Sequence, residues 1–343
     1  MSDIEAASNA ASGQDAFAKR AERNRIIAWS AGFSVLLALP WLTINEYQNF
    51  LLDIIMVNIL LAVGLNIVKG FAGQVTVGHV ALMAIGAYTS AVLTAKFGFS
   101  FWAALPMAVV LTGFVGGVLG VPSFRLEGPY LALATLGFAE SVRIIISATN
   151  YLGAAEGFSN IPAPMIGDYV IDGHIDYYYI VMPIALIGIY LSFSILSSDM
   201  GRAFRALRED PLAAAANGIN VRKYKLLAFV SSALYAGTAG SLMAHMSPGF
   251  PHPYSYTITE MVTLLLMIVL GGIGHIWGGV IGAVLVTIIY DLTREWYQFQ
   301  LLVFGSVVVL TVLYLPRGIG GILDRYFAKR RFLAVRKNNS DDA

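Results

Sequence analysis

The sequence predicts an all-α polytopic membrane protein of about ten transmembrane helices, and three observations carry that reading. The 343 residues are 57% hydrophobic and only 13% charged, with a mean hydropathy of +0.69, whereas soluble domains carry about 25% charged residues. The apolar residues collect in runs near the ~20 residues that cross a hydrocarbon core. The basic residues gather on one side of those runs. Cysteine is absent, which excludes disulfides and thiolate metal sites. The 34 glycines suit close helix packing and interrupted helices.

Taken in order, residues 1–25 read as a disordered cytoplasmic tail, Ala/Ser/Asn/Asp-rich and without apolar periodicity. Lys19, Arg20, Arg23 and Arg25 precede the first apolar run, Ile26 to Ile44. Its length, with no clear small-residue cleavage site after it, makes it a retained span rather than a signal peptide. Further spans are expected at Leu51–Val68, Val77–Ala95, Phe101–Val121, Tyr130–Thr149 and Tyr177–Leu196. The last four follow at Leu226–Met246, Ile258–Ile273, Ile276–Leu292 and Phe299–Leu315. The second and third spans are tightly joined, as are the eighth and ninth, so either pair also reads as a re-entrant or broken helix. A basic cytoplasmic tail, 324–343, closes the chain.

Charge tests this count. With ten spans and both termini inside, every one of the 22 Lys and Arg except Lys96, Arg143 and Arg294 lies in an inner segment. Basic residues accumulate on the cytoplasmic side, so the even count and the orientation support each other. The longest outer loop, Asn150–Asp176, has no Lys or Arg and carries Glu156, Asp168, Asp172 and Asp176. Topology alone explains the missing basic residues; a docking surface for an extracytoplasmic partner is the sharper reading.

The inner loop 198–225 contains the most punctuated stretch, GRAFRALREDPLAAAANGINVRKYK from Gly201 to Lys225. Asp210 is an N-cap residue and Pro211 suits the first helical position. Ala213 to Ala216 favour helix, and Gly218 can take the left-handed conformation that ends one. A helix of about two turns is expected there. An ordinary basic connector is the alternative.

Two glycine strings look alike: Ile67-Val68-Lys69-Gly70-Phe71-Ala72-Gly73 and Ile268-Val269-Leu270-Gly271-Gly272-Ile273-Gly274 share I-V-x-G-x-x-G. Similar strings in two halves of a membrane chain point to internal repeats, parallel or inverted. Small residues also recur in any packed membrane helix. Glu140 and Arg143 share a helix face, and at bilayer depth they need each other or a wet cavity. Asn58 and Asn66, eight apart, suit hydrogen bonds between helices. Glu260, Asp291, His79 and His245 lie near span ends and carry less weight. No GxxxxGK[ST] or HExxH occurs, so neither a P-loop nor a zinc hydrolase site is present, and nothing catalytic is expected. The basic clusters flank spans and imply no nucleic acid.

Four blocks resemble one family. They are Gly64–Tyr88 (GLNIVKGFAGQVTVGHVALMAIGAY), Arg125–Arg143 (RLEGPYLALATLGFAESVR), the central stretch, and Met261–Gly282 with Leu315-Pro316-Arg317-Gly318. Together they are similar to the M-type (LivM-like) permease subunits of branched-chain amino acid ABC importers. The resemblance implies a permease domain over 26–323 in the lipid bilayer of a bacterial inner membrane. It implies as partners a second, H-type permease, two cytoplasmic ATP-binding subunits and a periplasmic solute-binding protein. ATP and Mg would belong to the partner subunits, with no cofactor in this chain. Gly201, Arg202, Arg205, Arg208, Glu209, Asp210, Pro211, Ala214 and Gly218 would then couple to the ATPase. The chain departs from the general importer signature at Leu212, where Glu is usual. It departs again in the outer loop, where Ala154-Ala155 stand in place of Gly-Gly. A weakly binding translocation pathway is assigned to Asn66, Gly73, Gln74, Gly78, His79, Tyr130, Thr135, Glu140, Gly271, Gly272 and Gly274. Leucine, isoleucine and valine are the family's default solutes; urea or another small organic solute is the alternative. An ion-coupled secondary transporter using Glu140 or Glu260 is the competing class, and a purely structural membrane subunit a third.

Overall fold

The computed structural model describes residues 34–158, 160–246, 251–315 and 318–321. The two expected tails, the first residues of the first span, and Pro316-Arg317 lie outside them. The chain divides into two compact units, Met1–Asn49 and Phe50–Ala343. In the first, helix α1 covers residues 34–42. The turn after it is held by Thr43 Oγ1, 2.6 Å from Pro40 O and 2.7 Å from Asn49 Oδ1.

From α2 (Glu46–Leu65) onward the chain is almost wholly helical: α3 (His79–Ala95), α4 (Phe101–Gly120), α5 (Pro129–Ala148), α6 (His174–Ser197), α7 (Asp199–Glu209), α8 (Pro211–Ala216), α9 (Val221–His245), α10 (Ile258–Gly271), α11 (Ile276–Leu292) and α12 (Tyr297–Tyr314). Among the described residues, six helical segments are long and apolar enough to cross a membrane. They are Glu46–Phe71, Phe101–Phe124, Pro129–Ala148, His174–Ser197, Val221–His245 and Pro253–Gly271. Shorter apolar helices occupy His79–Ala95, Ile276–Leu292 and Leu302–Thr311. Among the described residues, six long and three shorter apolar helices make this a multi-pass membrane protein.

Two elements differ from the sequence reading. The outer loop is not free of strands: β1 (Met165–Ile166) and β2 (Tyr169–Val170) pair antiparallel, with Met165 opposite Val170 and Ile166 opposite Tyr169. Gly167, at φ +63°, makes the two-residue turn between them possible. Tyr169 donates from its hydroxyl to Asp176 Oδ2 (2.7 Å), and that hydrogen bond raises the phenol's pKa. The inner loop holds two helices, because an 11-residue helix, α7, precedes the expected short one.

Helix α9 runs through the interior against α3 and α4, and most of its buried residues are Ala, Gly or Ser. Between membrane helices the gain comes from close backbone approach, because lipid is as apolar as leucine. Gly86 and Gly237 meet face to face: a Cβ on Gly86 would stand 2.6 Å from Gly237 Cα. A Cβ on Gly120 would stand 3.0 Å from Phe229 Cβ, and one on Gly116 would meet Ala233 Cβ. Two-thirds of the α9 apolar window (67%) is buried inside the chain, against 17% for α5.

Candidate functional site

The segment between α6 and α9 folds as its local chemistry dictates. Asp210 Oδ1 accepts from Leu212 N (2.8 Å) and Ala213 N (3.2 Å), satisfying backbone donors that the first turn of α8 leaves open. Pro211 begins the helix. Gly218, at φ +80°, ends it, and Ile219 N returns to Ala214 O (3.1 Å). Asn220 then caps α9 by accepting from Lys223 N (3.1 Å). Leu212 is 83% exposed, so α8 presents an apolar tip to water.

Helix α7 anchors this tip. Ser198 caps it, accepting from Met200 N (3.2 Å). One face buries Gly201, Ala203, Phe204 and Leu207. Gly201 has no room for a side chain, because a Cβ there would run into the backbone of Leu196. Arg202 pairs with Asp199 on the exposed side, and Arg205 Nη1 donates to Leu196 O (3.2 Å). Buried Lys225 donates to Glu127 Oε1 (2.7 Å) and Ser123 O (3.1 Å), fixing the start of α9 to the loop before α5.

The two similar glycine strings meet beneath α7. The first ends α2 through a π-helical turn, Asn66–Phe71. Gly73, at φ +70°, closes that turn, and Gln74 N bonds back to Val68 O (2.9 Å), a glycine-ended helix terminus. The second ends α10, with Gly272 at φ +121° and Gly274 at φ +86°. Asn66 bridges them: its Nδ2 donates to His275 O (2.8 Å), and its Oδ1 accepts from Gly274 N (2.9 Å). Arg208 Nη1 reaches in from α7 to Gly70 O (2.5 Å). Gly271 packs against Gly278, whose Cβ would lie 2.6 Å from Gly271 O, and Gly320 covers them from the helical residues 318–321.

The residues singled out in the sequence therefore sort into separate places. Arg208, Asn66, Gly73, Gly271, Gly272 and Gly274 come together at this junction. Arg208 is exposed along part of its length while its guanidinium reaches Gly70 O, and Gly201 and Ala214 are buried. Arg202, Arg205, Glu209, Asp210, Leu212 and Gly218 are exposed as well. Gln74, Gly78, His79 and Thr135, expected on a solute pathway, are buried inside the bundle. Gln74 Nε2 donates to Ala72 O (3.1 Å), Thr135 Oγ1 accepts from Val77 N (3.0 Å), and His79 Nδ1 lies 3.1 Å from Ser232 Oγ. Asn58 donates to Thr287 Oγ1 (2.9 Å), an interhelical bond of the kind expected for both asparagines. Tyr130 and the Glu140–Arg143 pair (2.8 Å) sit instead on the open face of α5. Sequence reasoning passed over Asp53, which is fully buried in α2 with Oδ2 3.1 Å from His174 Nδ1. A lone carboxylate inside an apolar run was the available signal. Among the described residues no three His, Asp or Glu side chains gather to hold a metal ion.

Stacked apolar helices and a pair of interrupted segments define a multi-pass membrane protein. The model of the family described as "Branched-chain amino acid transport system / permease component" matches residues 48–315, and the chain belongs to that family. It is 33% identical over 310 residues to the high-affinity branched-chain amino acid transport system permease protein LivM of Escherichia coli K12, covering 83% of this chain and 73% of that one. It is 34% identical to the LivM of Salmonella typhimurium, over 77% of this chain and 68% of that one. The high-affinity branched-chain amino acid transport system permease protein LivH of E. coli K12 is 28% identical over 76% of this chain and 90% of its own length. No solved structure matches the chain.

Proposed function

We propose that the chain is the M-type permease subunit of an ATP-driven importer of branched-chain amino acids in a bacterial inner membrane. It has ten passes and both termini in the cytoplasm. It works with an H-type permease, two ATP-binding subunits and a periplasmic binding protein, and ATP is hydrolysed in those partners. The observation that carries this reading is α8: a short helix capped at both ends, tipped by exposed Leu212 and held to the bundle through α7. A helix this short has little stability alone, so its rigidity comes from the anchor. That is what a lever pushed by a motor subunit requires.

The second permease covers α5. The Glu140 and Arg143 side chains are 34% and 25% exposed, and the open face around them runs through Gly137 and Ser141. Charged groups at that depth cost about 2.5–3.5 kcal/mol each against lipid, so protein or a wet path must face them. The solute passes along this seam, beside Tyr130 and Glu140. Neither a urea-type solute nor an ion-coupled carrier is favoured by the relatives found.

Deleting the gene is expected to abolish high-affinity leucine uptake. That uptake, when present, persists under a protonophore while cellular ATP is maintained. Uptake that survives the deletion, or that collapses with the proton gradient at constant ATP, overturns the proposal.

A further inference from the structure

Two helix ends meet at the glycine junction. The π-helical end of α2 and the end of α10 both bring C-terminal carbonyls to this spot, each carrying roughly half a negative charge. Their approach is close: a Cβ on Gly70 would lie 2.6 Å from Gly274 N. Such ends repel, and their last carbonyls lack partners within the helix. Arg208 answers both needs, since its guanidinium donates to Gly70 O (2.5 Å) and brings a positive charge between the two ends. Lys69 is the other cation of the same turn.

The glycines are shaped to admit this side chain. A Cβ on Gly73 would lie 3.0 Å from Arg208 Cα and 3.2 Å from its Cγ, and one on Gly274 would strike Nη1. Both strings therefore leave out a side chain where Arg208 passes, and both use a left-handed backbone there. The helix carrying Arg208 leads directly, through Asp210, into α8.

We propose that Arg208 is a positioning residue that latches α7–α8 to the inner ends of both interrupted segments, so that a push on α8 moves the two glycine strings as one body. This rests on the importer reading, which makes α8 the place where force enters. Cytoplasmic α7 then serves as a transmission rod, and Arg208 acts through its contacts with Gly70 and Gly274.

The chain lacks cysteine, so Asn217→Cys and Ile273→Cys can carry two spin labels that report the separation of α8 from the second string. The full complex, reconstituted with its own partner subunits, is compared with and without Arg208→Gln, both nucleotide-free and vanadate-trapped. With Arg208 present, one narrow distance distribution should hold in both states. In Arg208→Gln the distribution should broaden or shift on trapping. Solute transported per ATP should fall about tenfold, as for the loss of one charge-assisted hydrogen bond. Arg208→Lys, which keeps the charge, should restore part of both, a rescue that a purely structural role does not predict if complex yield is equal in all three. An unchanged distance distribution in Arg208→Gln overturns the latch whatever the transport assay shows. Absence of solute-stimulated ATP hydrolysis in the native complex overturns the importer reading instead, and the distances still decide the latch.

Discussion

Helices α4 and α5 are consecutive, each 20 residues long, and each leaves one face uncovered by the rest of the chain. The faces differ in kind. On α4 the exposed side chains are Trp102, Met107, Val110, Leu111, Phe114 and Val118, all large and without charge. On α5 the open face joins Tyr130 and Leu133 to Gly137 and Ser141, with Glu140 and Arg143 at its flank. Hydrocarbon satisfies the first and penalises the second. Exposure in an isolated membrane chain is thus of two sorts, and on the proposed reading the charge on α5 marks the side that meets a partner.

The largest effect should come from the same substitution made on opposite sides of this pair. Gly116→Leu, on the buried side of α4, drives a side chain into Ala233. It should cost about 3 kcal/mol from overpacking and remove most folded chain from the membrane fraction. At Gly137 an added Cβ meets no atom within 4 Å, so Gly137→Leu starts into open space. It should leave thermal stability of the isolated chain unchanged while lowering recovery of the second permease in pull-down. Glu140→Leu strands Arg143 and should lower the steady-state level by an amount set by about 2.5 kcal/mol, and Arg143→Leu in the same chain should restore it, as quantified by in-gel fluorescence of a fusion. Smallest, Phe114→Ala on the lipid face of α4 should change stability by no more than about 0.5 kcal/mol and leave transport as it was.

How legible these regions were follows from the range of the interactions. The apolar runs located the long helices to within a few residues, and α11 occupies Ile276–Leu292 as expected, because burial in lipid is a local demand on composition. Helix α8 was readable from Asp210, Pro211 and Gly218, whose effects act on the backbone beside them. Helix α7 was missed. Ala203, Phe204 and Leu207 are spaced for one helical face, but the arginines between them drew attention to charge and topology. The junction left only a trace, the two similar glycine strings. Its bonds join Asn66 to Gly274 and Arg208 to Gly70, pairings of residues far apart in the chain that carry no local signature. The polar residues assigned to a pathway show the same limit. Asn66 and Thr135 inside a span signal either water or a partner helix, and composition does not distinguish the two.

The direct test of the account is a photocrosslinker placed in turn at position 137 on α5 and position 114 on α4, in the assembled complex within its native membrane. Benzoyl-phenylalanine at 137 should capture the second permease as a discrete heavier band, and at 114 it should label lipid alone. Lipid adducts alone from position 137, or capture of the second permease from 114 and not from 137, would contradict the assignment of α5 as the face that completes the transporter.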